Sequence, residues 1–78
     1  MKENIVPHIN IKHFPRLSKE QQSDLVTMLT QVVTKIIRCD EGAISIALEP
    51  IEKNIWHEKV YIPEIMNRKE LLYKFPNY

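Results

Sequence analysis

The sequence predicts an α+β fold in which two parallel strands are joined by one long crossover helix and followed by a helical tail. Three observations carry this prediction: a strand-like alternation at residues 7–14, a long apolar stripe of helical spacing at residues 19–37, and a second alternation at residues 43–48. Strands that are separated by one helix of this length are expected to pair in parallel, with the helix covering one face of the sheet.

The first strand is predicted at residues 7–14. Apolar Ile9 and Ile11 alternate there with polar residues, as expected for a strand that has one buried face. Pro15 interrupts the pattern, because proline has no amide hydrogen to give to a sheet ladder.

The long helix is predicted to begin near Lys19 and to end near Ile37. Ser18 and Gln21 have the spacing of a capping box, in which each side chain accepts a hydrogen bond from the other residue's amide. Apolar side chains recur at spacings of three and four, at Leu25, Met28, Leu29, Val32, Val33 and Ile36. This stripe predicts a helix that packs one face on the sheet, and we interpret it as core.

The second strand is predicted at residues 43–48, after a turn at residues 40–42 that contains the only glycine. Its branched residues Ile44, Ile46 and Leu48 share the face that the helix is expected to cover. The tail is predicted as two helices, one at residues 55–61 capped by Asn54 and one that begins at Pro63 and ends near Tyr73.

Composition indicates one compact domain. The 78 residues are 44% hydrophobic and 27% charged, with no run long enough to cross a membrane. A net charge of +1 argues against nucleic acid and anionic membranes as partners. Cys39 is the only cysteine, which excludes an internal disulfide. Residues 1–6 are too short and too polar for a secretory signal, so we expect a cytoplasmic protein.

A homo-oligomer is expected from the fold itself. A two-stranded sheet with one helix leaves both sheet edges and one sheet face uncovered, and a core of this size is marginal. Pairing with a second copy into a four-stranded sheet would protect these surfaces.

Several sequence blocks, taken together, resemble the 4-oxalocrotonate tautomerase superfamily, specifically its bacterial PptA-type branch. They are residues 7–12 (PHINIK), 14–16 (FPR), 20–22 (EQQ) and 44–48 (ISIAL), Trp56, and residues 76–78 (PNY). The similarity covers residues 7–78, which implies that these residues form the tautomerase domain and that residues 1–6 are an extension before it. The resemblance also implies the β-α-β tautomerase (MIF-like) fold and a cofactor-independent keto–enol isomerase.

The resemblance also implies roles for three residues. In such enzymes the chain begins with a proline whose secondary amine is the general base, and Pro7 matches it. A free amino terminus titrates near pH ~8, and burial beside cations lowers its pKa toward neutrality, where it is both unprotonated and useful as a base. Arg16 matches the arginine that binds the substrate carboxylate through its forked donors. Trp56 matches an aromatic wall that excludes water from the pocket.

Two departures from the family pattern change these expectations. Ser45 stands where the 4-oxalocrotonate enzyme has a second arginine, so we expect a monocarboxylate 2-oxo acid, such as an aryl pyruvate, as substrate. Residues 1–6 precede Pro7, and an internal proline nitrogen is a tertiary amide without a basic lone pair. A valine codon of the GUG type can serve as a bacterial start, where it is read as methionine, and a methionine before proline is usually removed. A start at Val6 would therefore give a native chain that begins at Pro7. The alternative is a non-catalytic tautomerase-fold oligomer or small-molecule binding protein whose Pro7 stays blocked.

The expected assembly and ligands follow from the same comparison. The tail after Trp56 is longer than in the short hexameric enzymes of the superfamily, which favours a dimer over a hexamer. No metal is expected, because His8 and His13 lie an odd number of residues apart and point to opposite faces of one strand. Three tyrosines are expected to pack at a subunit interface: Tyr61, Tyr73 and Tyr78.

Overall fold

The computed structural model describes residues 5–78 and has the predicted β-α-β arrangement. Strand β1 (His8–His13) is followed by helix α1 (Lys19–Ile37), strand β2 (Ser45–Pro50) and a helical tail. The two strands pair in parallel, from His8 opposite Ser45 to His13 opposite Pro50. The predicted fold class is therefore confirmed.

The predicted extension, residues 1–6, lies outside the described residues except for Ile5 and Val6. Both of these residues are exposed and precede β1 without regular secondary structure. The ladder of the sheet is reached at Pro7, whose carbonyl accepts a hydrogen bond of 3.2 Å from the amide of Ser45.

Helix α1 begins with the predicted capping box. The amide of Gln21 donates to Ser18 Oγ (3.0 Å), and the amide of Ser18 donates to Gln21 Oε1 (2.9 Å). A cap of this kind is worth about 1 kcal/mol. The helix ends at Arg38, which has a left-handed backbone (φ 63°) and donates its amide to the carbonyl of Thr34. Both predicted ends of the helix are confirmed.

One face of α1 is half-buried and the neighbouring face is exposed. Leu25, Leu29 and Val33, four residues apart, form the half-buried row. A second row of the predicted stripe is open to solvent, with Met28 62%, Val32 55% and Ile36 72% exposed. This exposed apolar row is an unpartnered surface of the single chain.

Strand β2 begins two residues later than predicted. A single turn of 3-10 helix, Glu41–Ala43, takes the first of the predicted strand residues. The amide of Ala43 donates to the carbonyl of Asp40 within this turn, so it is not available to a sheet partner. The ladder extends instead to the end of β2, where the amide of Ile51 donates to the carbonyl of His13 (2.8 Å).

The tail differs from the prediction in where it breaks. A short turn (Lys53–Ile55) leads through Trp56 into a wide π-helical segment (His57–Ile65), and a 3-10 helix (Met66–Leu71) follows. Pro63 lies inside the π-helical segment, and no side chain caps the turn that contains Asn54. Proline only removes one donor here, and a local change in hydrogen-bond spacing lets the chain continue as a helix past it. The break comes later, at Arg68, whose backbone is not helical (φ −132°, ψ 33°).

Ion pairs connect the tail to the polar face of the sheet. Lys12 Nζ of β1 lies 3.9 Å from Glu49 of β2 and 3.5 Å from Glu64 of the tail. Asn10 Nδ2 donates to Glu49, and Arg68 pairs with Glu64 at 3.2 Å. Partly exposed pairs of this kind contribute at most about 1 kcal/mol each. Their main consequence is positional, since they tie the tail to β1.

The single chain exposes more surface than a compact protein of its mass. Its accessible surface is 6630 Å², whereas a compact 9.3 kDa monomer is expected to expose about 5,000 Å². The radius of gyration is 14.5 Å, against about 11.5 Å for a compact chain of this length. Within residues 5–78 only Cys39 (2%) and Val60 (5%) are fully buried. No helix in this range is long and apolar enough to cross a membrane.

Candidate active site

An open aromatic pocket of about 810 Å³ lies beside the carboxyl-terminal ends of the two strands. The chain leaves β1 at Phe14, and it reaches Trp56 through the short turn that follows β2. Parallel strands end at the same edge of a sheet, which is why residues so far apart in sequence meet here. The aromatic pocket is lined by Phe14, Lys53, Trp56, His57, Tyr61 and Tyr78.

The rings of the aromatic pocket touch one another in favourable geometries. Phe14 meets Trp56 edge to face, with ring centroids 5.0 Å apart and planes at 86°. His57 stacks on Tyr61 (5.2 Å, 19°), and Tyr61 is tilted against Tyr78 (5.7 Å, 42°). Such ring pairs stabilise by about 0.5–1.5 kcal/mol beyond the area they bury. The pocket walls are therefore held by one another and not only by the backbone.

A hydrogen bond joins the two groups of rings. Trp56 Nε1 donates to the hydroxyl oxygen of Tyr78 at 3.1 Å, although the two residues lie 22 positions apart in sequence. An indole nitrogen can only donate, so the Tyr78 oxygen must be the acceptor. Polar groups in the lining are few, with Lys53 and His57 both exposed at the rim. An apolar pocket with a cationic rim suits an anion that carries an apolar side chain.

Arg16 lies two residues beyond Phe14 and is not part of the pocket lining. It is exposed, and its φ of 91° is uncommon for a residue other than glycine. Strained backbone of this kind is concentrated at binding and catalytic sites, where the surrounding structure holds it in place.

Pro7 lies at the opposite end of β1 from the aromatic pocket. The six residues of β1 separate Pro7 from Phe14, which at the usual rise of a strand is roughly 20 Å. Within one chain, Arg16 therefore lies only two residues after Phe14 of the pocket that contains Trp56. Pro7, in contrast, lies far from both the pocket and Arg16.

Ser45 lies beside Pro7 at the start of β2. Its Oγ is 2.6 Å from Nδ1 of His8, so the side chain is engaged in a hydrogen bond across the two strands. Within residues 5–78 there is no cluster of three or more metal-ligating side chains.

Comparison with known proteins identifies the family. The family model for tautomerase enzymes matches residues 7–58. The tautomerase PptA of Cronobacter sakazakii is 38% identical over 74 residues, which cover 94% of this chain and 97% of that protein. The chain belongs to the tautomerase family. The PptA tautomerases of Escherichia coli O139:H28 and Pectobacterium carotovorum, with the same coverage of both chains, are 36% and 35% identical to this tautomerase.

The resemblance to PptA-type tautomerases is thus confirmed, and this tautomerase is an isomerase. The sequence did not predict most of its pocket. Tyr61 and Tyr78 were expected at a subunit interface, whereas in the single chain they line the aromatic pocket with Lys53 and His57. The spacing of four residues between His57 and Tyr61 is a sequence pattern that could have predicted the contact of their rings. No local pattern connects Tyr78 to Trp56.

Proposed function

We propose that this tautomerase converts the enol form of an aromatic 2-oxo acid to its keto form, with Pro7 as the general base. The observation that carries the substrate class is the aromatic pocket, whose walls suit an aryl side chain. Ser45, engaged with His8, offers no positive charge for a second carboxylate. A monocarboxylate such as phenylenolpyruvate therefore fits these groups better than a dicarboxylate.

The proposed chemistry moves one proton and needs no cofactor. The Pro7 amine removes the proton of the enol hydroxyl, and the oxygen electrons form the carbonyl bond. The pyrrolidinium then gives its proton to the carbon of the double bond that neighbours the carbonyl. This transfer returns Pro7 to its free base. Arg16 holds the carboxylate and stabilises the negative charge that develops on the enolate. Trp56 keeps water away from the reacting atoms.

The proposal requires that the active form begins at Pro7. After Val6 the nitrogen of Pro7 is an amide and has no basic lone pair. Two observations support a start at Pro7: the family match begins there, and regular structure begins at the next residue, His8. Ile5 and Val6 are exposed, and no sheet hydrogen bond holds them in place.

We further propose that each reaction centre is built by two copies of the chain. The roughly 20 Å between Pro7 and the aromatic pocket is too long for one proton transfer. If the β1 strands of two copies pair antiparallel, Pro7 of one copy comes beside the end of β1 in the other, where Phe14 and Arg16 lie. The sheet then has four strands, and the expected assembly is a dimer.

Two surface properties support this assembly. The exposed apolar row of α1, formed by Met28, Val32 and Ile36, is a surface that a second copy could cover. The accessible surface of the single chain exceeds the compact expectation by about twice what one partner buries in a standard protein interface, an amount in the range of obligate dimers. Lys12 and Glu64 tie the tail to the polar face of the sheet, so the tail covers a surface that further copies would need for a larger assembly. This position of the tail favours a dimer over a hexamer.

A subunit mixing experiment tests the shared site. One partner begins at Val6, so its Pro7 is an amide but its Arg16 is intact; the other begins at Pro7 and carries Arg16→Ala. After subunit exchange of equal amounts, mixed dimers contain one complete site, and ketonisation is expected to recover to about a quarter of the native rate. Activity that stays at the average of the two separate proteins would place Pro7 and Arg16 of one site in one chain. Sedimentation equilibrium that showed only monomers would also contradict the proposal.

The substrate class is tested by comparing two enols in the protein that begins at Pro7. Ketonisation followed in the ultraviolet is expected to give a kcat/KM for phenylenolpyruvate at least about tenfold above that for the dicarboxylate 2-hydroxymuconate, because the second carboxylate would lose water without gaining a partner. A preference for the dicarboxylate would contradict the role given to the aromatic pocket.

A further inference from the structure

Tyr78 contacts the wall of the aromatic pocket through its side chain. In the tail that leads to it, Leu71, Tyr73 and Phe75 are exposed, whereas Leu72 and Pro76 are half-buried. Tyr78 itself is 68% exposed, yet its ring lies against Tyr61 and its hydroxyl accepts the hydrogen bond from Trp56. Ordering a tail in this way costs conformational entropy, and these two contacts offset part of that cost.

Two parts of Tyr78 remain available to a ligand: the proton of its hydroxyl and the ring surface that borders the pocket. The hydroxyl oxygen accepts from Trp56, so its own proton is available to donate, and within residues 5–78 it has no acceptor. The ring touches Tyr61 on one side and borders the pocket. A ring that enters the pocket beside Trp56 therefore meets an aromatic surface of Tyr78 as well.

We propose that Tyr78 is a specificity-determining residue that selects an aromatic side chain on the ligand. Its ring lines the pocket together with the Phe14–Trp56 pair, and its hydroxyl fixes the orientation of the Trp56 indole. This inference rests on the proposed function for the substrate class, but the contact it describes is a binding contact and exists without turnover.

The residue composition gives a direct readout of this site. Trp56 is the only tryptophan of the chain, so fluorescence excited selectively from tryptophan reports on the aromatic pocket. 3-Phenylpropanoate serves as the aromatic probe, since it has no ketone and cannot be turned over. Butanoate carries the same charge without a ring. The ratio of the two dissociation constants measures the selection of the ring, and Kd is determined by titration of the full chain.

In the unmodified chain, 3-phenylpropanoate is expected to bind at least about tenfold more tightly than butanoate. Tyr78→Ala is expected to weaken 3-phenylpropanoate about tenfold and to leave butanoate nearly unchanged. Tyr78→Phe keeps the ring and loses the hydrogen bond to Trp56, so its affinity is expected to fall about threefold. The matched control is Tyr73→Ala, which removes the same side chain from a fully exposed position in the same tail and is expected to change neither constant.

Three outcomes would overturn the inference: no preference for the ring in the unmodified chain, an unchanged preference in Tyr78→Ala, or an equal loss in Tyr73→Ala. Unchanged butanoate affinity in Tyr78→Ala guards against a folding defect, since a chain that had lost its fold would lose both ligands, and Tyr78→Phe is expected to keep the preference because it keeps the ring. The proposed function fails separately, if the protein that begins at Pro7 binds 3-phenylpropanoate as expected but does not ketonise phenylenolpyruvate.

Discussion

The protein that begins at Pro7 is expected to ketonise phenylenolpyruvate about 10²–10⁴ times faster than the chain that retains residues 1–6, since that is the usual contribution of a positioned general base. Removing the preceding residues converts the Pro7 nitrogen from an amide to a secondary amine. The fold should change little, because β1 starts at His8 and the described residues before Pro7 are outside the sheet. The measurement is the initial rate of loss of enol absorbance at equal protein concentration.

The sharpest control is a chain that begins at Val6. It differs from the active form by one residue, but its Pro7 nitrogen is again an amide, so its rate should match that of the full chain. Pro7→Ala is a weaker control, because a chain beginning with alanine still has a primary amine. Equal activity of the full chain and the shortened chain would show that the Pro7 amine is not the base. Sequencing the amino terminus of the protein from its own cell decides which form is native.

Local patterns were enough to predict β1, α1 and the parallel pairing. Each of these elements has a signal in consecutive residues: the alternation of Ile9 and Ile11, the capping box of Ser18 and Gln21, and the apolar stripe. The start of β2 was missed by two residues because a turn hydrogen bond at Ala43 competes with the sheet for the same amide. Alternation alone does not show which of the two bonds forms.

The tail and the pocket depend on contacts that no short window contains. Pro63 usually marks a helix start or a kink, but here the π-helical segment continues through it. Phe14, Trp56 and Tyr78 meet only because the strands end at one edge and the tail returns to it. The roles of Pro7 and Arg16 were obtained from resemblance, since composition alone describes a strand-start proline and a surface charge. The structure adds that β1 separates Pro7 from Arg16. This separation is the reason for the proposal that two copies of the chain share one site.

Arg16→Gly is expected to lower kcat/KM for phenylenolpyruvate about 10²-fold, since a charge-assisted hydrogen bond to a carboxylate is lost. The same change should not destabilise the fold. Arg16 has a φ of 91°, and glycine adopts positive φ without the penalty of about 1–2 kcal/mol that a side chain brings. The larger backbone entropy of glycine in the unfolded chain offsets part of that gain, which leaves a net change between zero and about 1 kcal/mol of stabilisation.

Arg38→Gly is the matched control, because Arg38 is also an exposed arginine with positive φ (63°), at the end of α1. Both glycine variants are expected to unfold at or slightly above the temperature of the parent, measured at one protein concentration since assembly contributes to stability. Only Arg16→Gly should lose activity. An activity loss in both variants would point to a general effect of glycine on the protein. A loss in Arg16→Gly that accompanied a lower unfolding temperature would assign the arginine to the fold and not to the carboxylate. A substrate-binding role requires that Arg16→Gly loses activity but keeps its stability, and that Arg38→Gly keeps both.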